Sequence, residues 1–258
     1  MINIDKTLDK DHIVKIVGND INRQAIFEKY VHSMILLEQL DYLLKGKEYL
    51  FKGGTSLLLH FGDSSRFSID VDISMLESEY DNRAWLEEHF KNNISKQFVN
   101  VTMDDKRSHS GRDIKCAHYY FYYQPRYQTD EPYVLLDIVF QDVIADKTKI
   151  YVDNPRVIQE GDKKLINIIS VDSLLGDKLT AFAPNTVGIK YTSNNHHQKP
   201  KECEIVKQLF DCAYLCDKYA DINDVLATYK SVCQYQSDIL PPLIEVGASC
   251  SSSLLGPA

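Results

Sequence analysis

The stretch "KEYLFKGGTSLLLHF…RFSIDVDISM", residues 47–75, constrains the fold more than any other part of the chain. A short apolar run ends at two adjacent glycines, and a leucine-rich segment follows. "FSIDVDISM" then alternates apolar and polar residues with the period of two that belongs to a strand. Strand, glycine turn, helix and strand in this order predict a mixed α/β layer rather than a helical bundle or an all-β sandwich. The alternation also sets Asp70 and Asp72 side by side on one face and Ile69, Val71 and Ile73 on the other.

The flanking segments extend this pattern. Apolar residues from Ile21 to Leu43 recur at helical spacing, which predicts a long amphipathic helix over Asp20–Leu44. "DNRAWLEEHFKNNISKQF" reads as a helix with Asp81 as its N-cap. "NVTMDDKR", "IKCAHYYFYYQ" and "YVLLDIVF" read as strands from their β-branched and aromatic content, giving a meander. The character changes after about Lys164. "SVDSLLGDKLTAFAP" reads as a capped helix stopped at Pro184, and two further helices follow in "ECEIVKQLFDCAYLCDKY" and "INDVLATYKSVCQYQ". The first of these two offers Ile205, Leu209, Phe210, Ala213 and Leu215 for packing. The expected organisation is an α/β domain with a mixed sheet over residues 1–164 and an α-helical domain over 165–258.

The N-terminus is charged throughout and no apolar run is long enough to cross a bilayer, which points to a cytoplasmic protein without membrane contact. The six cysteines form no CxxC pair, so neither a disulfide framework nor a metal knuckle is expected, and Cys212 and Cys216 read as buried thiols on one helix face. A net charge of −8 argues against broad non-specific nucleic-acid binding. It leaves room for a local basic groove, for which Lys190, Lys199, Lys201, Lys207, His196 and His197 are the candidates; a solvated loop is the other reading.

Two carboxylates held on one strand face repel each other unless a cation lies between them. Paired hard oxygen donors suit Mg²⁺, which takes one or two carboxylates and completes its shell with water and phosphate oxygens. Gly53 and Gly54 turn the backbone so that amides are exposed at the start of the next helix, with Thr55 as its cap; such amides form an anion site fit for a triphosphate. Asp137 stands alone among the apolar residues of "YVLLDIVF" and is the candidate third carboxylate of a two-metal site. Two readings stand for it: a wall of the same cleft, which Leu135 and Val139 on its face favour, or the solvent face of an edge strand. Together these features suggest phosphoryl or nucleotidyl transfer.

"KGGTSLLLHF…RFSIDVDIS" resembles the signature of the AbiEii/AbiGii toxin family, within the polymerase-β-like nucleotidyltransferase superfamily. The resemblance is closest from Lys52 to Ser74. "LLGDKLTAF" is similar to the family's lysine-bearing helix, which implies that Lys178 faces the nucleotide phosphates. "KQLFDCAYL" resembles the family's helix with a basic residue four positions before an aspartate, which carries over Lys207 and Asp211, the latter to position Lys178 or the base. Gln208 stands where that pattern usually has an aspartate. The family implies a nucleotidyltransferase-like fold, Mg²⁺ and an NTP, and Gly53, Gly54, Thr55, Lys178 and Lys207 as nucleotide-binding residues. It also implies Asp70, Asp72 and Asp137 as metal ligands. Arg66 and Ser68 are the candidates to orient these carboxylates, with a structural ion pair as the other reading of Arg66. The implied setting is a bacterial or phage-related toxin–antitoxin or abortive-infection system, with tRNA as acceptor and a separate antitoxin as partner. Two alternatives stay open: nucleotidyl transfer to a small molecule, as in antibiotic-modifying relatives, and a non-catalytic nucleotide-binding module.

Overall fold

At Gly53 the chain leaves its first strand and enters a helix in a single step. Its φ of 78° lies in the left-handed region where glycine carries no steric penalty. In the computed structural model, residues 1–62, 67–104, 115–127, 129–130, 132–142, 145–182 and 202–239 are described, with side chains through residue 235. The expectations for Arg66, Pro184 and the basic residues from Lys190 to Lys201 lie outside them. The chain divides into two units, the first ending at Ile169 and the second beginning at Ser170 and also taking in Asp146.

The first unit holds a mixed sheet of seven strands among the described residues. They are β1 (Tyr49–Lys52), β2 (Val71–Met75), β3 (Asn100–Met103), β4 (Cys116–Tyr122), β5 (Tyr133–Phe140), β6 (Lys147–Tyr151) and β7 (Leu165–Ile169). Their order across the sheet is β3-β4-β5-β2-β1-β7-β6. The β3-β4-β5 meander is antiparallel, as expected, whereas β2 pairs with β5, and β1 with β7, in parallel. β5 is therefore an inner strand, which removes the edge-strand reading of Asp137. β6 and β7, which no motif above announced, complete the far side.

Four longer or shorter helices accompany the sheet before its second strand: α1 (Ile4–Thr7), α2 (Lys10–Val17), α3 (Ile21–Leu43) and α4 (Gly53–Phe61). α5 (Arg83–Asn93) follows a 3-10 turn at Glu77–Asn82. Asp81 lies inside that turn and Asn82 takes the cap position without a side-chain bond, so the expected Asp81 cap does not form. Arg83 reaches back instead, donating to the Tyr80 carbonyl at 2.7 Å and lying over the Tyr80 ring. α3 starts where expected, with the Asp20 carboxylate accepting from the amides of Asn22 and Arg23.

α3 departs from the expected amphipathic pattern. Every residue from Phe27 to Leu37 is buried, including Glu28, Lys29, His32 and Ser33. The helix packs against β2, β5 and β7 and also against α2 and α5, so this middle stretch has no face left for water, while Ile21, Ile26 and Tyr42 toward its ends are exposed. Most of its polar groups find partners, the buried Tyr30 hydroxyl being an exception. The Glu28 carboxylate accepts from the amides of Arg126 and Tyr127, His32 stacks on Tyr123 at 3.8 Å, and Ser33 donates to the Ile69 carbonyl at 2.6 Å.

In the second unit, α6 (Val171–Leu179), α7 (Glu202–Cys216) and α8 (Ile222–Ile239) pack together. Ser170 caps α6, accepting from Ser173 N at 3.1 Å. A Cβ at Gly176 would stand 2.4 Å from the Val225 carbonyl, which is why α6 and α8 can approach so closely there. α7 buries Asp211, Cys212 and Leu215, while Leu209 and Phe210 are exposed against expectation. Cys216 is also exposed, so only Cys212 of that pair is a buried thiol, and burial pushes it up to about 12.

Candidate functional site

Strand register builds the site from residues far apart in sequence. Lys52 on β1 pairs with Asp72 on β2, Asp72 pairs with Asp137 on β5, and Asp137 pairs with His118 on β4. Directly paired residues share a sheet face, so these four side chains form one polar row across the sheet. The opposite face is core, since Val71, Ile73, Ala117, Tyr119, Leu136 and Ile138 are all fully buried. Asp137 and His118 remain partly open, with side chains 22% and 13% exposed. They are hydrogen-bonded to each other through His118 Nδ1 and Asp137 Oδ1, and Cys116 Sγ lies 3.6 Å from His118 Nε2.

Gly53 shapes the same row. A Cβ at that position would fall 1.9 Å from Asp72 Oδ2, so the carboxylate rests in space that only glycine leaves open. α4 therefore begins beside the Asp72 carboxylate, and Lys52 at its cap position makes no side-chain capping bond. Thr55 is not the cap: it is the third residue of α4, fully buried, and its hydroxyl donates to the Asp70 carbonyl at 2.5 Å. Asp70 lies just before β2 rather than within it, and this bond fixes its backbone. Ser68 lies in the same lead-in to β2.

The donor set suits a hard divalent cation. Asp72 and Asp137 are adjacent across parallel strands and both present oxygen, and Asp70 is two residues away on the same chain. Among the described residues, no three Asp, Glu, His or Cys side chains are gathered into a cage.

The second unit contains another constellation. Lys178 Nζ and Asp211 Oδ2 are 2.7 Å apart, with side chains only 5% and 1% exposed, and Lys178 also donates to Gln208 Oε1 at 3.1 Å. The residue that departs from the family pattern, Gln208, thus takes part of the lysine's hydrogen bonding. Lys207 on the same helix is exposed. Lys178 and Asp211 belong to one unit, and Asp70, Asp72 and Asp137 to the other.

His118 is the polar partner that sequence reading missed. The alternation in "CAHYYFYY" places Cys116, His118, Tyr120 and Tyr122 on one face, but only the pairing of β4 with β5 puts His118 opposite Asp137.

No curated protein matches the chain in sequence. Among solved structures, MenT4, the nucleotidyltransferase toxin Rv2826c of Mycobacterium tuberculosis H37Rv, is 14% identical with a TM-score of 0.48, the match covering 87% of this chain and 98% of that one. JHP933 from Helicobacter pylori is 17% identical with a TM-score of 0.44, over 74% of this chain and 68% of that one. A putative nucleotidyltransferase from H. pylori is 16% identical with a TM-score of 0.38, over 84% and 94%. The family model described as "Nucleotidyl transferase AbiEii toxin, Type IV TA system" matches residues 35–247, a span that includes β1, α4, β2, β5 and the helices bearing Lys178 and Asp211. The chain therefore belongs to the AbiEii family of nucleotidyltransferase toxins of type IV toxin–antitoxin systems.

Proposed function

We propose that this nucleotidyltransferase moves a nucleotide from an NTP to an RNA acceptor, with tRNA as the acceptor class that the family resemblance favours. The observation that carries the reading is the pairing of Asp72 with Asp137 beside the start of α4, where Gly53 leaves space for a carboxylate. Asp70, Asp72 and Asp137 would hold Mg²⁺, in a two-metal arrangement when substrate is present. When bound, the metal supplies positive charge against the triphosphate. The amides of Gly53, Gly54 and Thr55 at the start of α4 would bind phosphate oxygens. Asp137 takes the proton of the acceptor hydroxyl as that oxygen attacks the α-phosphorus. The bond from α-phosphorus to the bridging oxygen breaks and pyrophosphate leaves.

Lys178 and Lys207 are proposed as phosphate-facing lysines. Support for Lys178 comes from its place on the helix that resembles the family's, and Asp211 positions it through their ion pair. Ser68, with Arg66, would orient the carboxylates. A cognate antitoxin is the proposed partner and the cytoplasm the proposed location. No helix among the described residues is long and apolar enough to cross a membrane. Transfer to a small molecule is the second reading, favoured by the net charge of −8.

The test is incubation with each α-labelled NTP, Mg²⁺ and either total tRNA or a panel of small hydroxyl and amine acceptors, beside Asp70→Asn. Label on RNA from the wild type alone supports the proposal. Label on small molecules alone supports the second reading, and equal labelling by Asp70→Asn removes Asp70 from the site.

A further inference from the structure

The face that carries Asp137 also carries three tyrosines that neither the core nor the proposed chemistry uses. Tyr120 and Tyr122 follow His118 at two-residue intervals along β4, and Tyr122 pairs with Tyr133 at the start of β5. All three lie on the face of the His118–Asp137 pair, because strand neighbours two apart share a face. Their rings are only half-buried, in contrast to Tyr119, Phe121 and Tyr123 on the core face. Tyr120 and Tyr122 are close to parallel, at 25° with centroids 6.4 Å apart. Tyr133 meets both edge-on, at 4.7 and 5.8 Å. At about 3.3 Å per residue, the row begins some 7 Å from the His118–Asp137 pair and runs away from it along the strand.

A second observation adds a destination. Lys29 Nζ lies over the Tyr133 ring, 4.4 Å from its centroid, and the same lysine lines a cavity of about 650 Å³. Asn22, Thr129 and Asp130 line it too, as does Ile69, the residue before Asp70. That volume is in the range of small-ligand pockets, and its hydrogen-bonding groups suit the edge of a base. The cavity therefore adjoins the tyrosine row at one side and the lead-in to Asp70 at another.

We propose that Tyr120, Tyr122 and Tyr133, continued by the Lys29 cavity, form a stacking track for the unpaired end of an acceptor RNA. The track leads its terminal hydroxyl toward Asp137. This rests on the reading of Asp137 as part of the transfer site. Unpaired bases stack on tyrosine faces without regard to sequence, and successive rings at strand spacing accept successive bases. A small acceptor would need no ring two or four residues beyond His118. Phosphate neutralisation contributes little, because Asp104 accepts from the Tyr120 hydroxyl and Asp130 lines the cavity. The expected binding is thus driven by stacking and only weakly sensitive to salt, which fits a chain of net charge −8.

The test uses the full chain and a 5′-fluorescein single-stranded oligoribonucleotide, followed by anisotropy, which reads RNA binding independently of nucleotide transfer. Tyr122→Ala and Tyr133→Ala should each weaken binding by about 5- to 100-fold, whereas the corresponding Phe variants should stay within about twofold of wild type. The slope of log affinity against log salt should be shallower than about −2, the value for three neutralised phosphates. Melting curves show that each variant is folded, and the Phe variants keep the ring if an Ala variant fails to fold. Wild-type affinity in folded Ala variants, a steep salt slope, or no RNA binding by the wild type would each overturn the track. Absence of label transfer to any acceptor, read in the separate incubation above, would instead count against the transfer site itself.

Discussion

Two charged constellations among the described residues are built on opposite principles. Asp72 and Asp137 sit on a sheet face where part of their surface is open, while Lys178 and Asp211 are enclosed at 5% and 1% exposure with Gln208 as a third partner. The first set brings like charges together in a row that also holds Lys52 and His118, and solvent reaches part of it. The second satisfies itself, a cation and an anion in contact with a neutral amide beside them. An open acidic row and an enclosed ion pair therefore differ in how far solvent reaches them, and the same type of mutation should weigh on activity in the first and on stability in the second.

The largest expected effect is on the open set. Asp72→Asn keeps the shape and removes one charge, so nucleotidyl transfer should fall by about 10³-fold. Stability should change by less than about 1 kcal/mol, as for other partly exposed charges. Radiolabel transfer and urea midpoints measured on the same preparation check both halves. A variant that loses several kcal/mol would show that Asp72 is structural and that the comparison is misdrawn.

The enclosed set should respond the other way round. Asp211→Ala leaves the Lys178 ammonium buried with only Gln208, and breaking a buried pair in this manner costs about 3–5 kcal/mol. Thermal melting should register it as a large fall. An unchanged melting temperature would mean that Lys178 readily finds water, which would place it nearer to the open class.

His32 shows that enclosure is not confined to the second unit. Burial pushes its imidazole down to about 4, while its ring stacks on Tyr123 and Nδ1 meets the Glu28 carbonyl. The folded protein thus takes up this proton less readily than the unfolded chain, whose histidine titrates near 6.5. Stability is full above pH 6.5 and falls as pH drops from 6.5 toward 4, by roughly 3 kcal/mol over that window. Glu28, raised by burial, contributes the opposite sign at the acidic end. His32→Phe keeps the stack and removes the proton, so urea unfolding across pH 4–7 should show a flatter profile. An unchanged profile would assign the acid sensitivity to other groups.

Much of the sheet unit was legible because its signals are local. The β1-glycine-α4-β2 order follows from two glycines and a period of two, and the β5 aspartate stands out against its apolar neighbours. β7 was missed because "LINII" is only five residues long, with Asn167 as its one polar residue, too short a run for a period to be read. β6 is nearly all exposed and offers no apolar run at all. Neither the enclosure of α3 nor the position of His118 could be read locally. The first depends on elements packed from several sides, and the second on strand register over nineteen residues of separation. Thr55 was expected as a cap because it follows a glycine turn, but Gly53 already belongs to the helix, which moves Thr55 into the first turn.

That displacement of Thr55 allows the finest test of the comparison, because an enclosed residue here holds an open one. Its hydroxyl, wholly buried, donates to the Asp70 carbonyl at 2.5 Å, whereas its amide belongs to the start of α4. Thr55→Val retains the volume and the amide and removes only the hydroxyl, leaving the Asp70 carbonyl without that donor. The expected loss of stability is about 1 kcal/mol. Kinetics separate the two roles available to this residue. If the hydroxyl serves only to fix Asp70, kcat falls while KM for the NTP stays close to wild type, because the triphosphate still meets the same amide. If the hydroxyl itself contacts phosphate, KM for the NTP rises instead. The geometry favours the first outcome, since one buried hydroxyl proton already committed to a carbonyl cannot also be donated to a phosphate oxygen.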